Sequence, residues 1–330
     1  MVVRPHFQRL VERARMRAAV PAGFVFPCDS DWLQLALSAA FAGFLEPLLI
    51  GPEARIRDAA AHAGLDISRI PIVNTPDSTR DATTCAVELA RTGAVKALVR
   101  GSLANEDLLA PIVASASGLR SERRLSHAHF LDLPGRAHGL LLTDAVLNIV
   151  PTLGAKKDIV QNAIDLAAAV GIGEPRVAIL AGIGSVNHAF ASTLDADALK
   201  MMSSQGLFPG ALVDGPMTPD CALSPEIAKA HGLTVEVAGH ADILVAPGME
   251  SAVLLLRTMT ALTGGFAAGV VLGAHLPIVL PTRMESMEVR MASCVLAMLY
   301  ATRTTAQPGS AKPAPLLRGK GTDADQLAAS

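Results

Sequence analysis

The chain reads as an α/β protein built on parallel sheets. Two observations carry that reading: short runs that are apolar throughout, and longer segments of helical period lying between them. A strand covered on both faces has no solvent side and therefore no polar alternation. Such runs fall at 24–26, 48–50, 97–99, 130–133, 177–180, 243–245, 270–272 and 278–280. At 330 residues with 51% hydrophobic residues, the chain is long enough for two cores.

Taken in order, Phe7, Leu10, Val11 and Ala14 mark one face of an N-terminal surface helix. Arginines at 4, 9, 13, 15 and 17 accompany it without the apolar stretch of a secretory signal. The run at 24–26 closes on Phe26-Pro27-Cys28-Asp29, the run at 48–50 leads into a turn, and the run at 97–99 opens onto Arg100-Gly101-Ser102-Leu103. Segment 159–170 is helical, with Ile164, Ala167 and Val170 on one face and Gly171 as its stop. After the run at 177–180 comes Gly182-Ile183-Gly184, but Asn187 occupies the third glycine position of a dinucleotide loop, and the chain has no Walker A segment. Asp214-Gly215-Pro216 has turn chemistry. The final run ends in Pro281-Thr282-Arg283 and passes into an amphipathic helix. From Gln307 onward periodicity gives way to Pro, Gly and Ser, the composition of a flexible tail.

Composition excludes several functions. A formal net charge of −2 with one tryptophan and one tyrosine offers neither the basic field nor the stacking surface a polynucleotide needs. No apolar run approaches the ~20 residues of a membrane-spanning helix. Four cysteines, at 28, 85, 221 and 294, are spread without metal or disulfide spacing and fit reduced thiols in a cytoplasm. His127 and His129 fall on one strand face but lack a third ligand, so no metal site is expected.

The chemistry concentrates where the last strand meets its helix. In open α/β sheets ligands gather beyond the carboxyl ends of strands, and a helix N-terminus attracts negative charge. Arg283 adds a fork of donors matched to phosphate. Thr282-x-x-Glu285 fits a capping box as well, with threonine capping the helix and glutamate reaching back. Ser102 and Asn105 follow a strand where a phosphate-contacting loop or an ordinary turn belongs. Asp144 and Asn148 share a helix face, either towards a cleft or holding a junction; Asp214 and Gly215 either turn the chain or line that cleft.

These segments, in this order over roughly residues 10–302, resemble the phosphate acetyltransferase and phosphate butyryltransferase family. The resemblance is carried by Phe26-Pro27-Cys28-Asp29, Arg100-Gly101-Ser102-Leu103, Arg123-Arg124-x-Ser126-His127, Thr143-Asp144-x-x-x-Asn148-x-x-Pro151-Thr152, Val213-Asp214-Gly215-Pro216, the stretch 238–244, and Thr282-Arg283 after its strand. It is nearest the butyryltransferase-like branch. The family usually has Ser-Arg where this chain has Thr282-Arg283, and acetyltransferases carry an aspartate where this chain has Val289. Glu285, two residues beyond the arginine, is an acid in the branch's position. Gly184 and the stretch Gly248-Met249-Glu250-Ser251-Ala252-Val253 also replace polar groups usual in the family.

The resemblance implies a homodimeric cytoplasmic acyltransferase that exchanges a short acyl group between coenzyme A and orthophosphate, both of them substrates, with no cofactor or metal. It implies two doubly wound α/β domains of the isocitrate/isopropylmalate dehydrogenase type around a cleft: 1–139 with 271–305, then 140–270, with 306–330 as the tail. Arg283, Thr282 and Glu285 would be catalytic, and Ser102, Asn105, Asp144, Asn148, Asp214 and Gly215 would bind substrate. The alternative is a relative of altered specificity that binds coenzyme A, an acyl phosphate or a protein partner without turnover. A metal-dependent dehydrogenase of the same fold would need clustered aspartates, and the sequence has no such cluster.

Overall fold

The computed structural model describes residues 4–304, so the expected tail lies outside the described residues. The first stretch runs α1 (Pro5–Arg15), β1 (Val20–Val25), α2 (Ser30–Phe41), β2 (Leu45–Gly51), α3 (Glu53–His62), β3 (Ile72–Asn74), α4 (Thr79–Arg91), β4 (Ala97–Arg100) and α5 (Asn105–Val113). A central hairpin follows, β5 (Ser126–Asp132) and β6 (Leu140–Thr143). The chain continues through α6 (Leu153–Val170), β7 (Arg176–Leu180), α7 (Ala191–Ser204), β8 (Leu212–Met217), α8 (Pro219–Leu223), α9 (Pro225–Ala230), β9 (Ile243–Val245) and α10 (Met249–Thr263). It closes with β10 (Phe266–Leu272), β11 (Ile278–Val279) and α11 (Met287–Thr304).

All eleven strands join one sheet in the order β3-β2-β1-β4-β11-β10-β5-β6-β9-β7-β8. The five from β3 to β11 are parallel, as are the four from β6 to β8. Between them β10 pairs antiparallel with both β11 and β5, and β5 antiparallel with β6. The two parallel halves therefore run in opposite directions, and their carboxyl edges lie on opposite sides of the common sheet. The continuous central pairing is absent from the sequence reading because apolar runs carry no direction.

Alternate side chains along each strand separate the cores. Ala97 and Val99 of β4, Ala268, Val270 and Leu272 of β10, and Val177 and Ile179 of β7 belong to one core that spans the whole sheet. The opposite face has two cores, one under α4 and α5 in the first half and one under α8 and α9 in the second. Between these two cores β5 and β10 present His127, His129 and Gly269. The spanning core is filled by α11, in which Cys294, Val295, Leu296, Ala297, Met298 and Leu299 are all fully buried. A helix apolar on every side is what a central position requires. It anchors the segment that carries Arg283.

Helix α6 begins at Leu153, earlier than the periodicity indicates, because Thr152 caps it through a bond from the Ala155 N–H, and it stops at Gly171 with φ 100°. Two readings change. Residues 212–217 form the outer strand β8, so Asp214 and Gly215 sit within a strand and not in a turn. Residues 144–152 are a loop, so Asp144 and Asn148 share no helix face.

Candidate functional site

Loops after β1, β4 and β11 meet at the carboxyl edge of the first half. Phe26, just past the end of β1, has φ 54°, a left-handed conformation unusual for a large side chain. The turn lets its carbonyl accept from Ser102 N–H at 2.8 Å, while Gly101 N–H donates to the Val25 carbonyl at 2.9 Å. Gly101 is required there, since an added Cβ would overlap the Val25 and Phe26 carbonyls. This close approach places Asp29 beside Ser102. The Ser102 hydroxyl donates to Asp29 Oδ2 at 2.7 Å, and Arg283 Nη2 donates to the same oxygen at 2.6 Å. With its side chain 65% exposed, Arg283 keeps its remaining donors towards solvent.

Two other arginines hold the backbone of this turn. Arg100 donates to the carbonyls of Leu103, at 2.6 Å, and Pro281. Arg290 donates through Nε to the Thr282 carbonyl at 3.0 Å and through Nη2 to that of Arg283 at 3.1 Å. Both guanidinium groups pack on Trp32, 5.6 and 5.1 Å from its ring centroid. Three consecutive carbonyls are thus fixed, and the side chains of Thr282 and Arg283 are left exposed. Burial pushes the Arg100 pKa down, opposed by Glu285 and Asp29.

Glu285 reaches back to the Thr282 N–H at 2.8 Å, the half of a capping box that the sequence indicates. It closes a turn rather than a helix, because α11 starts only at Met287, where the Ser286 hydroxyl accepts from Val289 N–H at 3.3 Å. Arg283 therefore lies ahead of the helix N-terminus and not on it. Burial raises the Glu285 pKa above the usual carboxylate value, against the opposing pull of the Thr282 N–H, Arg290 and Arg100. Val289 packs against the spanning core and moves no proton. Asn105 opens α5 beside this loop, and its amide has no hydrogen bond among the described residues.

The remaining predicted residues lie elsewhere. Asp144 and Asn148 stand at the opposite, carboxyl edge of the second half. The Asp144 carboxylate accepts from the N–H groups of Val146, Leu147 and Asn148 at 3.0–3.2 Å, and the Asn148 amide donates to it and to the Leu125 carbonyl. Asp214 pairs with Lys200 at 2.8 Å on β8. That strand is six positions from β11, roughly 29 Å at ~4.8 Å per strand. Neither it nor Gly215 joins the Arg283 cluster.

His127 and His129 stack edge-on with centroids 4.3 Å apart, and neither Nδ1 has a partner. Burial pushes His127 down to about 4 and His129 well below its ordinary value, so both are neutral at pH 7. No group of three or more His, Cys, Asp or Glu among the described residues is placed to hold a metal ion. Cys28, at the end of β1, is pushed up to about 11 by burial and remains a thiol. Asp29, Arg100, Arg290 and Trp32 join the site only in the folded chain. Asp29 and Arg100 stand in quoted strand-end motifs, whereas nothing local marks Arg290 or Trp32.

The sequence profile of the phosphate acetyl/butaryl transferase family matches residues 77–298. The chain is 45% identical to a phosphate acetyltransferase from Rhizobium meliloti, over 91% of this chain and 95% of that protein. It is 33% identical to a phosphate butyryltransferase from Clostridium acetobutylicum, over 89% and 98%. A phosphotransacetylase structure from Streptococcus pyogenes superposes with a TM-score of 0.79 at 20% identity, covering 92% of this chain and all of that one. A 4-hydroxythreonine-4-phosphate dehydrogenase from Klebsiella pneumoniae gives 0.52 at 16% identity, over 86% and 100%. The fold is of that dehydrogenase-like α/β kind.

Proposed function

The chain belongs to the phosphate acetyl/butaryl transferase family, and we propose that the Thr282-Arg283 turn is where it exchanges an acyl group between coenzyme A and orthophosphate. The observation that carries this reading is an exposed arginine fixed by Asp29 on a turn whose carbonyls are all held. Such a fork receives phosphate in paired hydrogen bonds without first reorganising.

In one direction a phosphate oxygen attacks the thioester carbon, the carbonyl electrons move onto oxygen, and collapse of that oxyanion expels the coenzyme A thiolate. Arg283 neutralises phosphate and Thr282 donates to the oxyanion. Glu285 gives a proton to the departing sulfur. In the reverse direction it takes the thiol proton, and its raised pKa narrows the gap to a thiol, which ordinarily titrates at about 8.5. Asp29 and Ser102 are positioning residues that aim Arg283, and Asn105 offers a free amide to substrate.

A second reading, binding without turnover, is favoured by Val289, which cannot replace a catalytic acid. Glu285 answers it by bringing a carboxylate to the same turn. We also propose 4–139 with 271–304 and 140–270 as the two domains, meeting at the strip of His127, His129 and Gly269. A homodimer fits α10: Val253, Leu254, Leu255, Leu256, Met259 and Leu262 give it an apolar character, yet only Ala252 among its residues is buried. Four cysteines without a disulfide suit a cytoplasmic setting.

The test is coenzyme A release from acetyl-, propionyl-, butyryl- and longer acyl-CoAs with phosphate. The acetyl substrate heads the panel because the acetyl-named relative is the more similar of the two. Arg283→Ala is expected to reduce phosphate-dependent release about 10²–10³-fold, as loss of one transition-state donor does. No release from any acyl-CoA by the wild type, with coenzyme A still bound, sinks the transferase reading.

A further inference from the structure

A cavity of about 420 Å³ opens at the carboxyl edge of the second half, beyond β6 and beside the end of β10. Its wall includes Ile112 and Val113 at the end of α5, Leu147 and Asn148 after β6, and Arg120 and Arg124 ahead of β5. The loop carrying these arginines is pinned almost residue by residue. Arg120 bridges to Ala274, the Ser121 hydroxyl donates to the Gly273 carbonyl, and Arg123 pairs with Asp165 at 2.5 Å. The Arg124 N–H donates to Asp158 at 3.1 Å, and its carbonyl accepts from the Asn162 amide at 2.9 Å. At Gly273, with φ 94°, an added Cβ would overlap the Arg124 carbonyl, so the close approach itself needs glycine.

For all this anchoring, the guanidinium groups of Arg120 and Arg124 make no hydrogen bond or ion pair among the described residues. Arg123 is neutralised by Asp165, and Glu122 is the only carboxylate in the cavity wall. The two unused forks thus leave positive charge beside an apolar wall of Ile112, Val113, Leu147 and Ala274. A flat apolar ring with phosphates attached fits such a site. Helix α5 joins the cavity to the Arg283 cluster: its first residue follows the Ser102 loop, its last lines the cavity, and nine residues span about 13 Å. Leu109 and Val113, four apart on that helix, make a half-exposed apolar track between the two.

We propose that this cavity holds the nucleotide end of coenzyme A, with Arg120 and Arg124 on its phosphates and the pantetheine arm lying along α5 towards Arg283. The proposal rests on the acyl-CoA reading above and deepens it. It assigns nucleotide recognition to one edge of the sheet and acyl transfer to the other.

The experiment compares wild type with the Arg120→Ala/Arg124→Ala double variant on acetyl-CoA and on acetyl-pantetheine, which lacks the nucleotide. The KM for acetyl-CoA rises tenfold or more, as loss of charged hydrogen bonds of about 1.5–3 kcal/mol each implies. The kcat holds, and the KM for acetyl-pantetheine is the same in both proteins. Equal rises for both substrates, or none for either, overturn the proposal. Calorimetric titration with adenosine 3′,5′-bisphosphate needs no turnover and separates the two readings. Arginine-dependent binding in a protein that releases no coenzyme A would keep this site while the transferase reading fell, whereas release with binding indifferent to the arginines would do the reverse. Should the double variant unfold, single Arg124→Gln is read the same way against its thermal midpoint.

Discussion

The two carboxyl edges of this sheet use their acidic groups in opposite ways. At the first, two arginines hold the carbonyls of Pro281, Thr282 and Arg283, so the backbone is satisfied by cations from behind and the exposed side chains face outward. At the second, Asp144 is buried and turned inward, its charge met by three backbone N–H groups and the Asn148 amide. An acid that accepts four hydrogen bonds from its own loop organises that loop; an acid that closes one turn and is raised in pKa can exchange protons. Carboxylates in the same family of motifs thus separate into one suited to chemistry and one suited to structure, and only their surroundings distinguish them.

The largest effect that sharpens this contrast is on Glu285. Glu285→Gln retains an acceptor for the Thr282 N–H but cannot take a proton, and the rate of thiol attack on acyl phosphate is expected to fall about 10²-fold, at the low end for general-base catalysis. The wild-type rate should fall as pH drops through the raised Glu285 pKa, and that acid limb should vanish in the variant. Stability carries the opposite sign. A carboxyl raised on folding favours the folded state at low pH, and this contribution is lost as pH rises through its folded value. Glu285→Gln should therefore flatten the loss of stability with rising pH. A variant with full rate and an unchanged profile would remove Glu285 from the reaction.

Asp144→Ala gives the next effect, and in stability. It leaves three loop N–H groups without their acceptor, at about 2 kcal/mol or more if even one remains buried and unpaired. The denaturant midpoint should drop while the Arg283→Ala protein keeps the wild-type midpoint. A stable Asp144→Ala protein with a collapsed rate would reverse the assignment and make the second edge chemical.

Much of this arrangement was legible in sequence because it is local. Continuous apolar runs mark strands covered on both faces, though those at 130–133 and 270–272 pair antiparallel; Gly171 marks a helix stop, and Thr282-x-x-Glu285 marks a reach-back bond. What was illegible depends on partners far along the chain. The short runs of β3 and β6 give little periodic signal, and the outer strand β8 carries Gly215-Pro216, which reads as a turn unless β7 is known to lie beside it. The Glu285 pKa is decided by burial, which no spacing reports. Asp29 meets Arg283 across 254 positions, so only the folded loops show that the arginine has a keeper.

The smallest effect tests whether β8 belongs to either edge. Asp214 matches a family motif, yet it lies mid-strand, and its carboxylate is paired with the half-exposed Lys200. Water reaches the lysine end of this pair, so screening and the entropy lost in holding a long side chain keep its contribution small. Lys200→Ala should then change stability by less than about 0.5 kcal/mol and leave the KM for both substrates untouched. The result matters because the lysine is the only charged partner seen for Asp214 among the described residues. If freeing that carboxylate altered the KM for acyl-CoA, the outer strand would have to approach substrate in the assembled enzyme, through the apolar surface of α10 or a second copy of the chain. An unchanged KM leaves Asp214 as a strand residue whose motif reports the fold alone.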